Sequence, residues 1–213
     1  MVKYDYELKR SVRRSVSLCV KDDNSITVNA PLKMPLKDIE SFLLSKSGWI
    51  ESHLLRNEQN NAFLTEILSY QKVLVAGTAV PLAIGANNEF LSGEVRVKAI
   101  KNLKKLFTDN LGGRFLEIFN LIKAQNNFRC AKVEFKDYKA KWGCCDRSGN
   151  ITFNYKLLML PPDLWWYVAV HELCHTVYMN HSKSFYSLVE RVLPNYKTDR
   201  NRLKLYSRIT RLY

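Results

Sequence analysis

Between residues 11 and 30 apolar and polar positions alternate: Val12, Val16, Leu18 and Val20, then Ile26 and Val28 beyond Asp22-Asp23-Asn24-Ser25. A period of two predicts a β-hairpin that turns at the Asp-Asp-Asn cluster and ends at Pro31 and Pro35. Ile39, Phe42, Leu43, Trp49, Ile50 and Leu54 then recur at helical spacing, which predicts a helix over 36–56 with a break or kink at Gly48. Two apolar runs within Val73–Ile84, parted by Gly77-Thr78, read as a second hairpin. From Ile100 to Phe128 the residues Leu103, Leu106, Phe107, Leu111, Phe115, Ile118, Phe119 and Ile122 predict a long helix, interrupted near Gly112-Gly113. Ala131–Phe135 and Ile151–Tyr155 read as strands, the second following the turn Arg147-Ser148-Gly149-Asn150. Hairpins and helices without β-α-β alternation give an α+β fold class. The expected organisation is an N-terminal hairpin and helix region over 1–95 and a core over 96–213, packed as one compact unit.

Composition changes this picture little. The 213 residues are 46% hydrophobic and 25% charged, as in an ordinary globular chain. Five cysteines, at 19, 130, 144, 145 and 174, have no disulfide-framework spacing. Met1–Glu7 lacks the apolar core of a secretory signal, and the apolar stretch at 73–86 is too short to span a bilayer. A cytoplasmic protein with reduced thiols and no membrane association is the expectation.

Charge is more informative by its placement. The net charge of +13 is concentrated in residues 1–21, 96–147 and 182–213, whereas 22–95 is acidic on balance and 148–181 is nearly neutral. The basic blocks read first as solvated faces. Nucleic-acid binding through Lys101, Lys104, Lys105 and the run Lys197, Arg200, Arg202, Lys204, Arg208, Arg211 is the alternative.

The near-neutral segment carries the chemistry. His171-Glu172-Leu173-Cys174-His175 is an H-E-x-x-H pattern, followed by His181. Pro162 and Asp163 suit a helix first turn, and Leu164, Val168, Ala169 and Leu173 supply an apolar face. On that helix His171 and His175 lie four residues apart and can chelate one ion. A continuous helix would carry His181 roughly 9 Å further along the axis, too far to share that ion. The chain is therefore expected to turn back, with Asn180 in a left-handed conformation and Ser182 capping a following helix that stops at Pro194. Three His ligands with an open position are catalytic geometry for one Zn²⁺. Glu172, off the metal, is then the general base for an activated water that attacks a peptide bond. Tyr178 and Tyr186 lie nearby in sequence, but no oxyanion donor is assigned. His53 reads as a surface residue, and Glu190 as a solvated acid.

The spacing from second to third ligand equals that of the metzincins, yet Tyr178 replaces their Gly and no Met-turn follows. Instead the segment resembles the YgjP-like metallopeptidase family, related to the SprT- and WLM-type zincins. The likeness rests on Lys141-Trp142-Gly143-Cys144-Cys145, Gly149-Asn150-Ile151-Thr152-Phe153-Asn154, Pro161-Pro162, Tyr167-Val168-Ala169-Val170 and Asn180-His181-Ser182-Lys183-Ser184-Phe185, and extends upstream to Lys46-Ser47-Gly48-Trp49-Ile50. The family's usual R-W-G-S-C stands here as Lys141, Trp142, Gly143, Cys144, Cys145. The resemblance implies a zincin-like α+β core, zinc peptidase activity on a protein or peptide, His171, His175 and His181 as ligands and Glu172 as base. Lys141, Trp142, Gly143 and Asn154 are expected to line the substrate cleft, with strand 151–155 offering an edge to an extended peptide. A DNA-associated SprT-like protease and a non-proteolytic metal-binding module are the alternatives.

Overall fold

The structure, a computed structural model, describes residues 4–21, 23–69 and 72–213, side chains at 60, 61 and 63–69 aside. It is a mixed α+β fold divided into two compact units, Met1–Thr65 and Glu66–Tyr213.

In the first unit, β1 (Glu7–Ser11), β2 (Ser17–Val20) and β3 (Ile26–Pro31) form a sheet in the order β1-β3-β2. The expected hairpin is the antiparallel β2–β3 pair, and β1 adds parallel to the other side of β3. Asp22, within the expected turn, lies outside the described residues. Next come α1 (Leu36–Ser45) and α2 (Ser47–Ser69), the latter extending past the boundary. Ile26, Val28, Ala30, Ile39, Leu43 and Ile50 make a core of their own. The helical break falls at Lys46, whose φ of −107° and ψ of 8° end α1, and not at Gly48. The Lys46 N–H bonds the Leu43 carbonyl at 3.1 Å, tightening the last turn. Gly48 sits in the first turn of α2, where glycine is tolerated. His53 packs against Trp49, with centroids 3.7 Å apart and planes tilted by 31°.

The second unit opens with β4 (Lys72–Val75), β5 (Thr78–Ile84), β6 (Glu89–Leu91) and β7 (Glu94–Val97), ordered β4-β5-β7-β6. The hairpin β6–β7 has too few apolar residues to announce itself in sequence. A 3-10 turn at Ile100–Asn102 leads into α3 (Leu103–Gln125). That helix runs unbroken through Gly112 and Gly113, contrary to expectation. Gly112 is buried, and a Cβ there would meet Phe135 at 3.5 Å. Tertiary packing thus outweighs the roughly 1 kcal/mol helix cost of a glycine.

Three strands follow: β8 (Lys132–Lys136), β9 (Gly143–Cys145) and β10 (Asn150–Asn154), ordered β8-β10-β9. β10 pairs parallel with β8 and antiparallel with β9. It is therefore the central strand, and the free edge expected at 151–155 belongs to β9 and β8. The Asn154 N–H bonds the Trp142 carbonyl, and the Asp146 N–H bonds the Asn150 carbonyl. With Cys144 opposite Thr152, the ladder alternation turns the N–H and C=O of Gly143 and Cys145 away from β10.

After a 3-10 turn at Tyr155–Met159, the chain finishes with α4 (Pro162–His175), α5 (Lys183–Val192), α6 (Tyr196–Leu205) and a last 3-10 turn at Ser207–Arg211. Phe115 and Phe119 of α3, Phe153 of β10 and Trp165 of α4 join these layers in one aromatic core, with Phe115 and Phe153 centroids 4.7 Å apart. No helix among the described residues is long and apolar enough to cross a membrane.

The start of α4 is seated by the β4–β5 turn. Ala76 and Gly77 both have positive φ, 48° and 92°, as a two-residue hairpin turn requires. The Gly77 N–H donates to the Met159 carbonyl at 2.8 Å, and a Cβ on Gly77 would lie 2.7 Å from Pro161 Cγ. Gly77→Ala is expected to cost about 2–4 kcal/mol, combining a left-handed backbone with overpacking. Gly113→Ala, exposed in α3 with open space around it, is expected to gain about 0.5–1 kcal/mol. Denaturant titration of both variants checks this pair, and a neutral Gly77→Ala would contradict the seating.

Candidate metal centre

The helix α4 is apolar nearly all round: Leu164, Trp165, Val168, Ala169, Val170, Leu173 and Cys174 are all buried. A helix of that composition belongs inside the fold, so its polar residues are placed by burial and not by solvent. Pro162 occupies its first turn, and Asp163 there forms an ion pair with Arg202 of α6.

His171 and His175 stand on one face of α4. The helix then stops, with the Thr176 hydroxyl donating to the Leu173 carbonyl at 2.7 Å. The chain turns through 176–182 without a left-handed residue at Asn180, since the turn is closed by other bonds. The Val177 and Tyr178 N–H groups donate to the Cys174 carbonyl, and His175 Nδ1 donates to the Tyr178 carbonyl at 3.0 Å. Ser182 caps α5 as expected, its hydroxyl accepting from the Phe185 N–H at 3.3 Å.

This turn brings the third histidine back. His181 Nε2 lies 3.1 Å from His175 Nε2 and 3.1 Å from His171 Nε2. The donor to the Tyr178 carbonyl must carry its proton on Nδ1, so neutral His175 presents a bare Nε2. Burial, reinforced by the other two imidazoles and by Arg200, pushes the His171 pKa down to about 3. Burial likewise lowers that of His175. Phe185, fully buried, underlies all three rings at centroid distances of 5.0, 4.5 and 4.9 Å. Among the described residues this is the one group of three or more His, Cys, Asp or Glu side chains placed to hold an ion. At a Zn–N distance of about 2.0–2.1 Å, tetrahedral nitrogen ligands lie about 3.4 Å apart, close to the two 3.1 Å separations from His181, and all three nitrogens lie within 4.8 Å of one another.

Glu172 is 5% exposed and faces β9. A Cβ on Gly143 would lie 2.7 Å from both Glu172 Cγ and Oε1. Burial raises the Glu172 pKa to about 8, with Lys141 pulling the other way. A cation beside it would add to that opposing pull. Lys141, Trp142 and Gly143 line a cavity of about 190 Å³ together with Tyr167, Val168, His171, Glu172 and Leu203.

Asn154 is not on that wall. It is fully buried behind it, its Nδ2 donating to the Tyr138 and Lys141 carbonyls at 2.8 and 3.0 Å. It thereby holds the 138–142 loop that delivers Gly143 to Glu172. Cys144 and Cys145 point to opposite sides of β9; Cys144 Sγ lies 3.6 Å from the Tyr138 hydroxyl. Burial, with Glu172 nearby, pushes the Cys145 thiol up to about 11, against thiolate chemistry. Glu190 pairs with Lys197 at 3.0 Å, not with a histidine. Tyr167 and Leu203 complete the cavity; Leu203 has no mark in the sequence, and Tyr167 stands there only within the family likeness and not as a site residue. Tyr167 carried a signal, one helical turn before His171 on the same face.

Residues 14–206 match the YgjP-like metallopeptidase domain. No curated protein matches the chain. Among solved structures, the metallopeptidase zymogen abylysin of Pyrococcus abyssi is similar at 24% identity and a TM-score of 0.39, over 42% of this chain and 90% of its own. The zymogen jannalysin of Methanocaldococcus jannaschii is similar at 22% identity and a TM-score of 0.38, over 43% of this chain and 92% of its own. A family match spanning nearly the whole chain, over the very segments that build the three-histidine cluster, makes this protein a member of the YgjP-like metallopeptidase family.

Proposed function

We propose that the chain is a zinc peptidase in which His171, His175 and His181 hold one Zn²⁺ and Glu172 is the general base. The observation that carries this is the convergence of three Nε2 atoms at 3.1 Å steps beside a buried carboxylate. Bound there, zinc would supply Lewis acidity, activating water and polarising the scissile carbonyl.

The protein's own groups do the rest. Glu172, flanking the three nitrogens without joining them, takes a proton from the attacking water and returns it to the leaving amine. Its burial keeps bulk water off the carboxylate and favours proton uptake. Gly143 allows the closest approach of β9 to that carboxylate. The outward N–H and C=O groups of Gly143 and Cys145 are placed to pair with an extended substrate, moving the peptide edge from β10 to β9. The substrate is a protein or peptide, in keeping with the family.

Glu172→Gln should retain one zinc by elemental analysis yet cleave peptides about 10²–10⁴-fold more slowly; cleavage at the wild-type rate would exclude the assigned base. His181→Ala should lose zinc on dialysis, and an unchanged stoichiometry would remove it from the ligand set. Gly143→Ala should retain zinc and fold while kcat falls at least about tenfold, because the displaced carboxylate loses alignment. An unaltered kcat would show that the close approach is immaterial.

A further inference from the structure

One face of α6 looks onto the metal centre. Tyr196, Arg200 and Leu203 recur at i, i+4 and i+7 and so share that face. Tyr196 is buried and stacks on Tyr186, with centroids 5.9 Å apart and planes 18° apart. Tyr186 in turn stacks on His181 at 6.0 Å and 24°. Leu203 lines the cavity that also holds His171 and Glu172. Arg200 lies between these two contacts, its Cζ 5.1 Å from the Tyr186 ring centre.

Its neighbours on α6 are engaged: Lys197 pairs with Glu190, and Arg202 with Asp163 and Asp199. Among the described residues no carboxylate pairs with Arg200. The guanidinium is exposed, and it is held by an aromatic face that leaves its five N–H donors available. Its field reaches both His171 and Tyr167. Lys141, the cation that lines the cavity, sits over Tyr138 at 4.4 Å, and its field acts on Glu172.

We propose that Arg200 is a further catalytic residue, its guanidinium stabilising the oxyanion that develops on the scissile carbonyl. The inference rests on the zinc peptidase reading above. As the water oxygen bonds to the carbonyl carbon, its proton passes to Glu172 and the carbonyl π pair moves onto oxygen. Arg200 donates to that oxygen. When the C=O re-forms, the C–N bond breaks and the proton on Glu172 goes to the departing nitrogen. A neutral carbonyl is a weak partner for a guanidinium and an oxyanion a strong one, so the contact favours the transition state over bound substrate.

Arg200→Met retains an aliphatic contact with Tyr186 and removes the charge. It should keep its zinc and lose about 10²–10³-fold in kcat, with KM changed by less than about threefold. Affinity for a phosphinic peptide, whose tetrahedral oxygens imitate the oxyanion, should fall by a comparable factor. Added guanidinium ion should restore part of the kcat of Arg200→Ala. An unaltered kcat, a loss confined to KM, or loss of zinc from Arg200→Met would each overturn the assignment. A wild-type enzyme that cleaves while Glu172→Gln does not upholds the peptidase reading whatever Arg200 does. Should wild type cleave nothing, that reading fails, and equal phosphinic affinity of wild type and Arg200→Met overturns the Arg200 assignment separately.

Discussion

The His181 nitrogen, 3.1 Å from those of both His171 and His175, with all three within 4.8 Å of one another, is the constraint on which the rest of the second unit turns. An imidazole nitrogen is a donor or an acceptor but not both, so His181 Nε2 cannot complete a proper hydrogen bond with both neighbours at once while His175 presents a bare Nε2. Such a cluster persists only where the surrounding fold over-determines it and where a cation can relieve it. Here α4 is buried on nearly every side, the 176–182 turn is fixed by its own backbone bonds, and Phe185 sets the depth of all three rings. The burial that makes protonated imidazole unfavourable at His171 and His175 leaves neutral donors suited to a divalent ion.

The same burial acts on Glu172 with the opposite chemical sense. Removing a carboxylate from water favours its protonated form, which is what a proton carrier needs, and a nearby cation limits the shift. Gly143 sets how close the wall can come. Asn154, the residue after the last β9–β10 ladder pair, clamps the loop before it. Fold and site are thus joined at a glycine with no room for a side chain, and Asn154 positions that glycine from behind.

Local spacing made part of this legible in the sequence. H-E-x-x-H on a Pro-initiated helix, the need to turn back to His181 and the Ser182 cap are all encoded within about twenty residues, where periodicity and capping chemistry suffice. The rest depends on contacts distant in sequence. That β10 is the central strand follows from β8 pairing across an intervening segment, which alternation alone does not reveal. Gly143 meets Glu172 across nearly thirty residues, and α6 reaches His181 through stacked tyrosines. Glycines misled where packing decided: Gly112-Gly113 passes through α3, and Gly48 sits inside α2. The C-terminal basic run read as one surface, yet Lys197 and Arg202 belong to ion pairs that join α6 to its neighbours, and Arg200 lies over Tyr186, the ring that stacks on His181.

The central claim is that these three histidines converge on an ion. A crystal structure of the zinc-loaded protein with anomalous scattering measured across the zinc edge tests it most directly. One strong peak is predicted about 2.0–2.1 Å from each of the three Nε2 atoms of His171, His175 and His181, with Glu172 outside bonding distance. A peak ligated by other residues, or Glu172 found as a direct ligand, would contradict it.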